Sequence, residues 1–347
     1  MKALTYEGPR DIAYRDVADP APQGADAAVV AVRLCGICGS DLHIYGGHGF
    51  SPDLGFCVGH EAMGEVVEVG RDVRHFAVGD RVLVPASTGC GDCPACHRGL
   101  VARCEKQEAF CYGLSHALEG SQAQAVAVPH ADGNLTAVPD EVDDESALLL
   151  TDNLPTAWYG ARRAGIRPGD RVAVVGLGPV GLLAAMSAMV MGASRVFAID
   201  LVPERRARAA ALGAEPVDGD DVKAEVLAAT EGRGPEVVLE AVGSDATISL
   251  ALGLVRPAGR VSVVGVSQTM DFSFPMALAM VKELEFHIGL CSVQAELPAL
   301  MPLVRAGRLR PADVVTHRLG LSEGAHAYEL FASRSDGVGK VVLDPAR

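Results

Sequence analysis

Four cysteines in one short stretch are the residues of this chain best suited to bind a metal. Cys90, Cys93, Cys96 and Cys104 follow the spacing C-x2-C-x2-C-x7-C, in which two-residue gaps let successive sulfurs face one tetrahedral Zn²⁺ at ~2.3 Å. A disulfide framework, an iron–sulfur site or coincidence could give the same spacing, although the strict two-cluster ferredoxin run is not matched. We favour zinc. A closed four-thiolate site has no position for substrate, so this zinc is predicted to be structural.

A glycine-rich segment predicts a second site, for a dinucleotide. The apolar run 172–175 leads into Gly176-Leu177-Gly178-Pro179-Val180-Gly181, and an Ala/Leu/Met-rich helix follows. This is G-x-G-x-x-G in the strand–turn–helix context that it requires. The first glycine permits the tight turn, the second lets backbone approach a pyrophosphate, and the third allows close helix–strand packing. Alone, the motif could be merely a glycine-rich turn.

Asp200 strengthens the interpretation as a dinucleotide site. It ends the next apolar strand, about 20 residues after the motif, where a carboxylate can bind the adenosine ribose hydroxyls and repel a 2′-phosphate. NAD is therefore expected rather than NADP. Arg205 is the main argument for NADP, because it could partly neutralise Asp200. It could instead be a solvated helix charge or contact the adenosine ribose.

Two further fragments carry residue types that ligate metals. One is Gly36-Ile37-Cys38-Gly39-Ser40-Asp41-Leu42-His43, and the other is Gly59-His60-Glu61. Taken singly, a cysteine in an apolar segment is usually a small buried hydrophobe, and a single histidine is usually structural. Their significance depends on the elements that position them.

Those elements fall into two groups along the chain. Residues 1 to about 150 contain short valine-rich segments bounded by Gly, Pro or Asp, which predicts strands at 27–32, 64–69 and 80–84. From about 154 to 290, apolar strands alternate with amphipathic helices, which predicts βαβ units and a parallel sheet. The expected strands there are 172–175, 195–199, 237–239 and 261–264, and the expected helices include 203–212 and 221–230. A final strand, 340–343, is expected to rejoin the first group.

The order of these features resembles the zinc-containing medium-chain dehydrogenase/reductase family, the alcohol dehydrogenases, over essentially the whole chain. The resemblance implies an α/β protein with two domains. Residues 1–153 and 292–347 would form a GroES-like, mostly β catalytic domain with a structural-zinc lobe at about 88–106. Residues 154–291 would form a Rossmann, doubly wound NAD-binding domain.

The resemblance also implies a catalytic zinc. Cys38 and His60 match two of its ligands, and the family's third ligand, Cys in some branches and Asp in others, comes just before the cofactor domain. The segment Leu149-Leu150-Thr151-Asp152-Asn153-Leu154-Pro155-Thr156 resembles the Asp branch, so Asp152 is the expected third ligand. Its alternative role is a helix N-cap.

Residues beside these ligands receive roles from the same resemblance. Glu61 would be an outer carboxylate or a transient fourth ligand, and Asp41 would orient the histidine ligand through its other ring nitrogen. Ser40 and His43 would relay the proton, from the alcohol to Ser40, to the nicotinamide ribose 2′-hydroxyl and to His43. Alternatively, Ser40 would only form a turn and His43 would only be a surface residue.

Together these residues imply hydride transfer between NAD and an alcohol or polyol. Two anionic ligands and a neutral histidine offset the charge of Zn²⁺ and leave a fourth position, where the metal would lower the pKa of an alcohol or polarise a carbonyl. The residues expected along the nicotinamide are Thr156, Val242, Gly265 and Val266. The residues that are pocket candidates by position alone are His48, Phe50, His116 and Trp158.

The sequence departs from the family pattern in two places. Gly39 stands where some members have an arginine that contacts the pyrophosphate, and the common G-x-x-A-E-Y segment reads Gly120-Ser121-Gln122-Ala123-Gln124-Ala125. Substrate preference therefore cannot be copied from a relative. Of the remaining cysteines, Cys57 is expected in core packing, and the buried or partly buried thiols are Cys35, Cys111 and Cys291.

Composition limits the kinds of partner that this protein is expected to bind. The 347 residues carry a formal net charge of −14, which argues against nucleic acid, and glycine and proline interrupt the longest apolar region, which argues against a membrane span. No signal peptide is visible, and nine cysteines without one indicate a reducing compartment. We expect a cytoplasmic homodimer or homotetramer that acts on a small molecule.

The sequence is compatible with several rival functions. Within the superfamily they are a zinc-independent reductase, whose branches generally lack the Cys/His ligands, and a formaldehyde-dehydrogenase-like or specialised-metabolite dehydrogenase. From other classes they are a zinc ribbon, which should show basic residues around its thiols, and an NAD-binding sensor without catalysis.

Overall fold

The computed structural model describes residues 1–49, 51–107, 109–335 and 337–347. The chain forms two compact units. The first consists of Met1–Pro155 together with Ser292–Arg347, and the second consists of Thr156–Cys291. The first unit is therefore built from two segments that are far apart in sequence.

The elements are named in chain order. The strands are β1 (Lys2–Gly8), β2 (Asp11–Asp16), β3 (Ala28–Ile37), β4 (Ala62–Val69), β5 (Arg81–Val84), β6 (Ala125–Val128), β7 (Thr136–Ala137), β8 (Arg171–Val175), β9 (Arg195–Ile199), β10 (Glu215–Pro216), β11 (Val237–Glu240), β12 (Arg260–Val263), β13 (Glu285–Ile288), β14 (Val315–Gly320) and β15 (Lys340–Asp344). The α-helices are α1 (Asp41–Tyr45), α2 (Pro94–His97), α3 (Ala131–Asn134), α4 (Asp144–Leu149), α5 (Asn153–Arg163), α6 (Pro179–Val190), α7 (Pro203–Ala211), α8 (Val222–Ala229), α9 (Asp245–Leu254), α10 (Met276–Lys282), α11 (Val293–Arg305) and α12 (Gly324–Ser333). Short 3₁₀ helices lie at Val101–Arg103, Pro311–Val314 and Leu321–Glu323.

The main sheet of the first unit has the order β14-β15-β3-β4-β5-β7, and β6 also pairs with β3. Strand β15 lies between β14, to which it is parallel, and β3, to which it is antiparallel. The sheet buries fully enclosed side chains such as Val30, Val66 and Val82 in its core. Burial of such side chains stabilises the unit by roughly 1.5–3 kcal/mol each. The end of β3 is thereby fixed beside the start of β4.

The second unit contains a parallel sheet with the order β10-β9-β8-β11-β12-β13. The chain moves outward from β8 to β9 and β10, then returns to the other side of β8 and continues through β11 to β13. The reversal between β8 and β11 is the switch point at which such α/β sheets bind ligands, outside the carboxyl ends of the strands. The expected doubly wound Rossmann arrangement is confirmed.

The valine-rich runs lie in strands, with β3 as the main difference in length. It was expected over 27–32 but continues to Ile37. The extension contains arginine and glycine, which weaken the strand pattern. It is held because β15 pairs with it, Leu343 opposite Cys35 and Val341 opposite Ile37.

Candidate metal centre and dinucleotide-binding turn

Four potential ligands converge at one end of the first unit's sheet. Cys38 directly follows β3, and His60 and Glu61 directly precede β4. These two strands pair antiparallel, Cys35 opposite Ala62, so the end of one lies beside the start of the other. Asp152 lies between α4 and α5. One ligand atom from each of Cys38, His60, Glu61 and Asp152 lies within 4.8 Å of all the others.

The donor set suits a divalent metal of the zinc type. Asp152 Oδ2 lies 3.4 Å from Cys38 Sγ and 3.7 Å from His60 Nε2. Thiolate, imidazole and carboxylate are ligands that Zn²⁺ takes in three-ligand catalytic sites. Cys38 and His60 are buried, so a cation here would be held away from bulk water. The residues present therefore fit the metal that the resemblance implies.

The charges in this cluster affect one another strongly. Burial raises the pKa of the Cys38 thiol, and the neighbouring Asp152 carboxylate raises it further. Burial lowers the pKa of His60, but the neighbouring Asp41, Cys111 and Asp152 together outweigh burial, so this pKa lies well above its ordinary value. Burial would raise the pKa of Asp152, whereas its contact with His60 lowers it overall. Such groups compete for protons and cations, so metal binding should release protons.

Asp41 lies against His60 within this cluster. Its Oδ1 lies 3.1 Å from His60 Nδ1, in an ion-pair contact outside hydrogen-bond geometry, while its Oδ2 accepts the Cys38 backbone N–H at 2.9 Å. Gln122 Nε2 donates to Asp41 Oδ2 at 3.3 Å, and the Tyr328 hydroxyl donates to Gln122 Oε1 at 2.9 Å. A chain of buried polar groups thus leads from α12 to the histidine and leaves Nε2 facing the donor set.

Glu61 has two partners that sequence reasoning did not select. Its Oε2 contacts Lys340 Nζ, and its Oε1 accepts a hydrogen bond from Asn153 Nδ2 at 2.7 Å. All three side chains are buried. For Asn153 the only sequence signal was its position next to Asp152. For Lys340 the only sequence signal was the presence of a charged residue at the start of a valine-rich strand.

The expected relay residues lie in and beside α1. Ser40 Oγ lies 3.2 Å from His60 Nε2, which places the hydroxyl beside the donor set. His43 is half-buried within α1. Thr156 lies on α5, one turn after Asn153, and is half-buried.

The weaker pocket candidates are scattered. His48 and His116 are exposed, and His116 bonds to Glu119 and to the Leu54 carbonyl. Trp158 is half-buried on α5. Phe50 lies outside the described residues.

The other cysteines pack as expected. Cys57 is buried with Ala3 and Ala123. Cys35 and Cys291 are also buried, and Cys111 is half-buried.

The four clustered cysteines come together around one point. The sulfurs of Cys90, Cys93, Cys96 and Cys104 all lie within 4.8 Å of one another. Backbone N–H groups point at them: the N–H of Glu105 lowers the pKa of Cys93 to about 6, with help from that of Cys96. Amide donors favour thiolates, the form that binds metal. This geometry fits a closed tetrahedral zinc site.

The glycine-rich turn joins β8 to α6 in the second unit. Gly176 has φ +90°, a conformation that favours glycine. A Cβ on Gly181 would overlap the carbonyl oxygen of Gly176, and a Cβ on Gly176 would overlap the side chain of Val242. The turn therefore requires glycine at both positions. Gly178 is the N-cap of α6, and Pro179 and Val180 open that helix.

Asp200 stands at the end of β9, beside this turn. Its Oδ2 accepts the Leu177 backbone N–H at 2.7 Å, and its Oδ1 accepts that of Val202 at 2.9 Å. Arg205 Nη1 lies 3.7 Å from the same carboxylate. The Asp200 carboxylate, the backbone N–H groups that it accepts and the Arg205 guanidinium form a polar rim at the carboxyl end of the sheet.

The ends of the next two strands complete this edge. Glu240, at the end of β11, accepts the backbone N–H groups of Val242 and Gly243 at 2.8 and 2.9 Å. Gly265 packs so closely on Val242 and Gly243 that a Cβ there would overlap their backbone, and Val266 follows it. Sequence reasoning did not select Glu240, a fully buried carboxylate whose pKa burial raises despite these hydrogen bonds.

Among the described residues, no helix combines the length and the apolar character needed to cross a membrane.

Comparison with known proteins gives consistent matches along the chain. Residues 24–140 match the family model of the alcohol dehydrogenase GroES-like domain, and residues 179–306 match that of the zinc-binding dehydrogenases. A probable zinc-binding alcohol dehydrogenase of Mycobacterium tuberculosis is 43% identical over 96% of this chain and 86% of its own length.

Solved structures share the whole fold. The alcohol dehydrogenase of Thermus sp. ATN1 superposes with a TM-score of 0.93 at 42% identity, covering 99% of both chains. The 2R,3R-butanediol dehydrogenase of Bacillus subtilis gives a TM-score of 0.84 at 28% identity, also covering 99% of both. The chain therefore belongs to the zinc-containing medium-chain dehydrogenase/reductase family, the alcohol dehydrogenases, and is an oxidoreductase with GroES-like and Rossmann folds.

Proposed function

We propose that this protein is an NAD(H)-dependent zinc alcohol dehydrogenase that interconverts an alcohol or polyol and the matching aldehyde or ketone. The observation that carries the proposal is the buried convergence of Cys38, His60 and Asp152, with one ligand atom of each within 4.8 Å of the others. In this assignment residues 1–153 and 292–347 form the catalytic domain, and residues 154–291 bind the cofactor.

Cys38, His60 and Asp152 would hold the catalytic zinc, and Cys90, Cys93, Cys96 and Cys104 a structural one. The metal would supply Lewis acidity to the substrate oxygen, and the cofactor would supply a hydride donor or acceptor for the substrate carbon. Asp41 keeps His60 Nδ1 engaged at 3.1 Å, so that Nε2 is the nitrogen presented to the metal.

The substrate proton would leave through Ser40. Its Oγ lies 3.2 Å from His60 Nε2 and is therefore beside the donor set. A hydroxyl can accept one proton while donating its own, which suits a relay step in a buried site. His43, on the helix that Ser40 precedes, would take the proton onward, since an imidazole titrates near neutral pH.

The cofactor site would prefer NAD. Each oxygen of the Asp200 carboxylate accepts one backbone N–H, leaving a further lone pair for a ribose hydroxyl. A 2′-phosphate at the same place would meet that negative charge. Arg205 would contact the adenosine ribose while it balances Asp200. Thr156, Val242, Gly265 and Val266 would pack against the nicotinamide.

We also propose a homo-oligomer, a homodimer or homotetramer, on the basis of one apolar surface. The apolar edge surface consists of exposed side chains on α10 and β13, namely Met276, Met280, Val281 and Ile288. Strand β13 is the last strand of its sheet, so its outer backbone groups can pair with another strand. A second copy offers the same surface around a two-fold axis.

The test is a turnover assay with metal analysis. NADH formation is followed by its absorbance with a panel of primary, secondary and polyhydric alcohols and aldehyde hydrates, with NADP⁺ in parallel and zinc counted on the same sample. We expect turnover with NAD⁺, about two zincs per chain and loss of both turnover and one zinc in Cys38→Ser. One zinc per chain and no turnover, with cofactor still bound, would instead indicate an NAD-binding sensor.

A further inference from the structure

The buried side chain of Asn153 contacts the potential ligands of the candidate metal site. Its Nδ2 lies 2.7 Å from Glu61 Oε1, 3.0 Å from Asp152 Oδ2 and 3.6 Å from Cys38 Sγ. Only 1% of the residue is exposed. A single amide group thus contacts three of the four potential ligands, and Glu61 is its nearest partner.

The chemistry of the three acceptors fixes the orientation of this amide. A carboxylate accepts hydrogen bonds and cannot donate them, whereas the Nδ2 group donates two. A flipped amide would turn its oxygen toward the anions. Among the described residues, Asn153 Oδ1 has no hydrogen-bond partner. A leucine of similar size would avoid that buried unsatisfied oxygen, which indicates that the position is occupied for its N–H groups.

Both oxygens of Glu61 are engaged, one on each side. Asn153 holds Oε1, and Lys340, which is fully buried, contacts Oε2 while its Nζ also donates to the Ile37 carbonyl at 3.0 Å. The positive charge of Lys340 therefore compensates the negative charge of Glu61. The two anionic ligands, Cys38 and Asp152, offset the two charges of Zn²⁺ in the proposed site.

We propose that Asn153 is a positioning residue that keeps Glu61 out of the metal's coordination sphere and so preserves the fourth position for substrate. This inference rests on the proposed function. Without the amide, Glu61 Oε1 would be a buried carboxylate oxygen without its donor, and the cation would be the nearby group able to satisfy it. Glu61 would then occupy the position that exogenous ligands use.

The test uses the full chain with Co²⁺ in the catalytic site, because cobalt reports its coordination number in the visible spectrum. The variants are Asn153→Leu and Asn153→Ala, which both lack the amide and differ in size, so the smaller one serves if the larger one does not fold. Small exogenous ligands, azide and imidazole, are titrated against the cobalt bands. These readouts do not depend on turnover.

In the wild type we expect a four-coordinate cobalt–thiolate spectrum that azide and imidazole perturb. In the Asn153 variants we expect the bands to change without added ligand, and exogenous ligands to bind about tenfold or more weakly. Cobalt itself should remain tightly bound, since Glu61 replaces a water rather than a protein ligand.

Thr151→Val is the matched control. Thr151 is fully buried two residues away, and its hydroxyl donates to the Leu148 carbonyl at 2.6 Å. Its variant should keep the wild-type spectrum and ligand affinity. An equal change in Thr151→Val would overturn the inference, because local packing would then be responsible.

Two further outcomes would also overturn it. One is an unchanged spectrum and unchanged azide binding in folded Asn153 variants. The other is weaker cobalt binding without a new ligand, since Asn153 would then merely support Asp152. A wild type that gives no cobalt–thiolate spectrum would contradict the proposed function itself, which separates the two failures.

Discussion

At the scale of single residues, Asp200 combines two tasks at the end of β9. Its hydrogen bonds to the N–H groups of Leu177 and Val202 hold the glycine-rich turn and the following loop in place. Its charge lies at the edge where the proposed cofactor's ribose would bind. The structure of the turn and the proposed cofactor preference therefore depend on the same carboxylate.

Replacing this carboxylate by its neutral isostere should change cofactor preference. In Asp200→Asn we expect the ratio of kcat/KM for NADP⁺ to that for NAD⁺ to rise about tenfold or more, because the like-charge repulsion of a 2′-phosphate disappears. Steady-state kinetics with both cofactors measure the ratio. Asp218→Asn is the control, since Asp218 is an exposed partner of Arg206. An unchanged ratio in Asp200→Asn would remove the argument for NAD.

At the scale of elements, the junction of β8 and α6 depends on the absence of a side chain. Gly181 lies so close to the Gly176 carbonyl that a Cβ would overlap it. The first turn of α6 can therefore approach β8 closely, which brings its N–H groups to the turn that would hold a pyrophosphate.

Gly181→Ala should weaken cofactor binding. The new methyl group would displace α6 from the turn, and we expect the Kd for NADH to rise by about tenfold or more, measured by calorimetry or by NADH fluorescence. Gly253→Ala is the matched control in α9, because nothing lies within 4 Å of its Cβ position. Gly253→Ala should bind NADH with the wild-type Kd, and its free energy of unfolding should be higher than that of the wild type by up to about 1 kcal/mol. Equal binding by the two variants would contradict the prediction.

The start of β8 is tied to the start of β11 by an ion pair. Arg171 donates to Glu236 through Nη2 at 2.8 Å and Nε at 3.1 Å, and its backbone N–H donates at 2.8 Å. Burial alone would raise the pKa of Glu236, but these contacts with Arg171 lower it to about 2. The folded protein therefore favours the charged carboxylate.

The sign of the pH dependence follows from that lowered pKa. Glu236 stabilises the fold above its unfolded pKa of about 4.3, and this contribution is lost as the pH falls toward about 2. We expect Glu236→Gln to lower the free energy of unfolding by about 2 kcal/mol near neutral pH, with the difference from wild type narrowing below about pH 4. Urea unfolding at several pH values measures it. A difference that stays constant with pH would show that charge is not the cause.

Strands with a strong apolar pattern could be predicted from the sequence, whereas the weakest could not. The segment 64–69 is valine-rich, and 195–199 is apolar after its first residue; both are bounded by turn residues, and they lie in β4 and β9. By contrast, β10 has two residues, and β13 (Glu285–Ile288) is half charged or polar. Both lie at the edges of the sheet, where pairing with a neighbour, rather than local pattern, fixes a strand.

At the scale of the whole molecule, the site residues also divide into those that the sequence could indicate and those that it could not. Cys38 and His60 belong to short motifs with a recognisable spacing, so the sequence could indicate them. Lys340 reaches Glu61 only because β15 pairs with β3 across some three hundred residues of chain. Asn153 acquires two of its partners, Cys38 and Glu61, from two distant segments of the chain. Contacts of that kind depend on tertiary pairing and leave no local signal.

The apolar edge surface predicts the state of assembly. In Ile288→Glu a charge would stand on the outermost strand, so we expect the proposed oligomer to dissociate, as measured by sedimentation or light scattering. Ile288 is 57% exposed, and Leu201→Glu is the control because Leu201 is 91% exposed and lies elsewhere, after β9. A wild type that is monomeric at micromolar concentration would contradict the assembly proposal.

The position of β15 has a consequence for synthesis on the ribosome. This strand lies between β14 and β3, yet it is translated after the whole of the second unit. The second unit is one continuous segment and can complete its sheet as soon as it emerges. The first unit must wait with β3 and the buried Glu61 incompletely paired until Lys340 arrives. In nascent chains stalled before β15, the second unit should therefore resist proteolysis while the candidate metal centre remains incomplete.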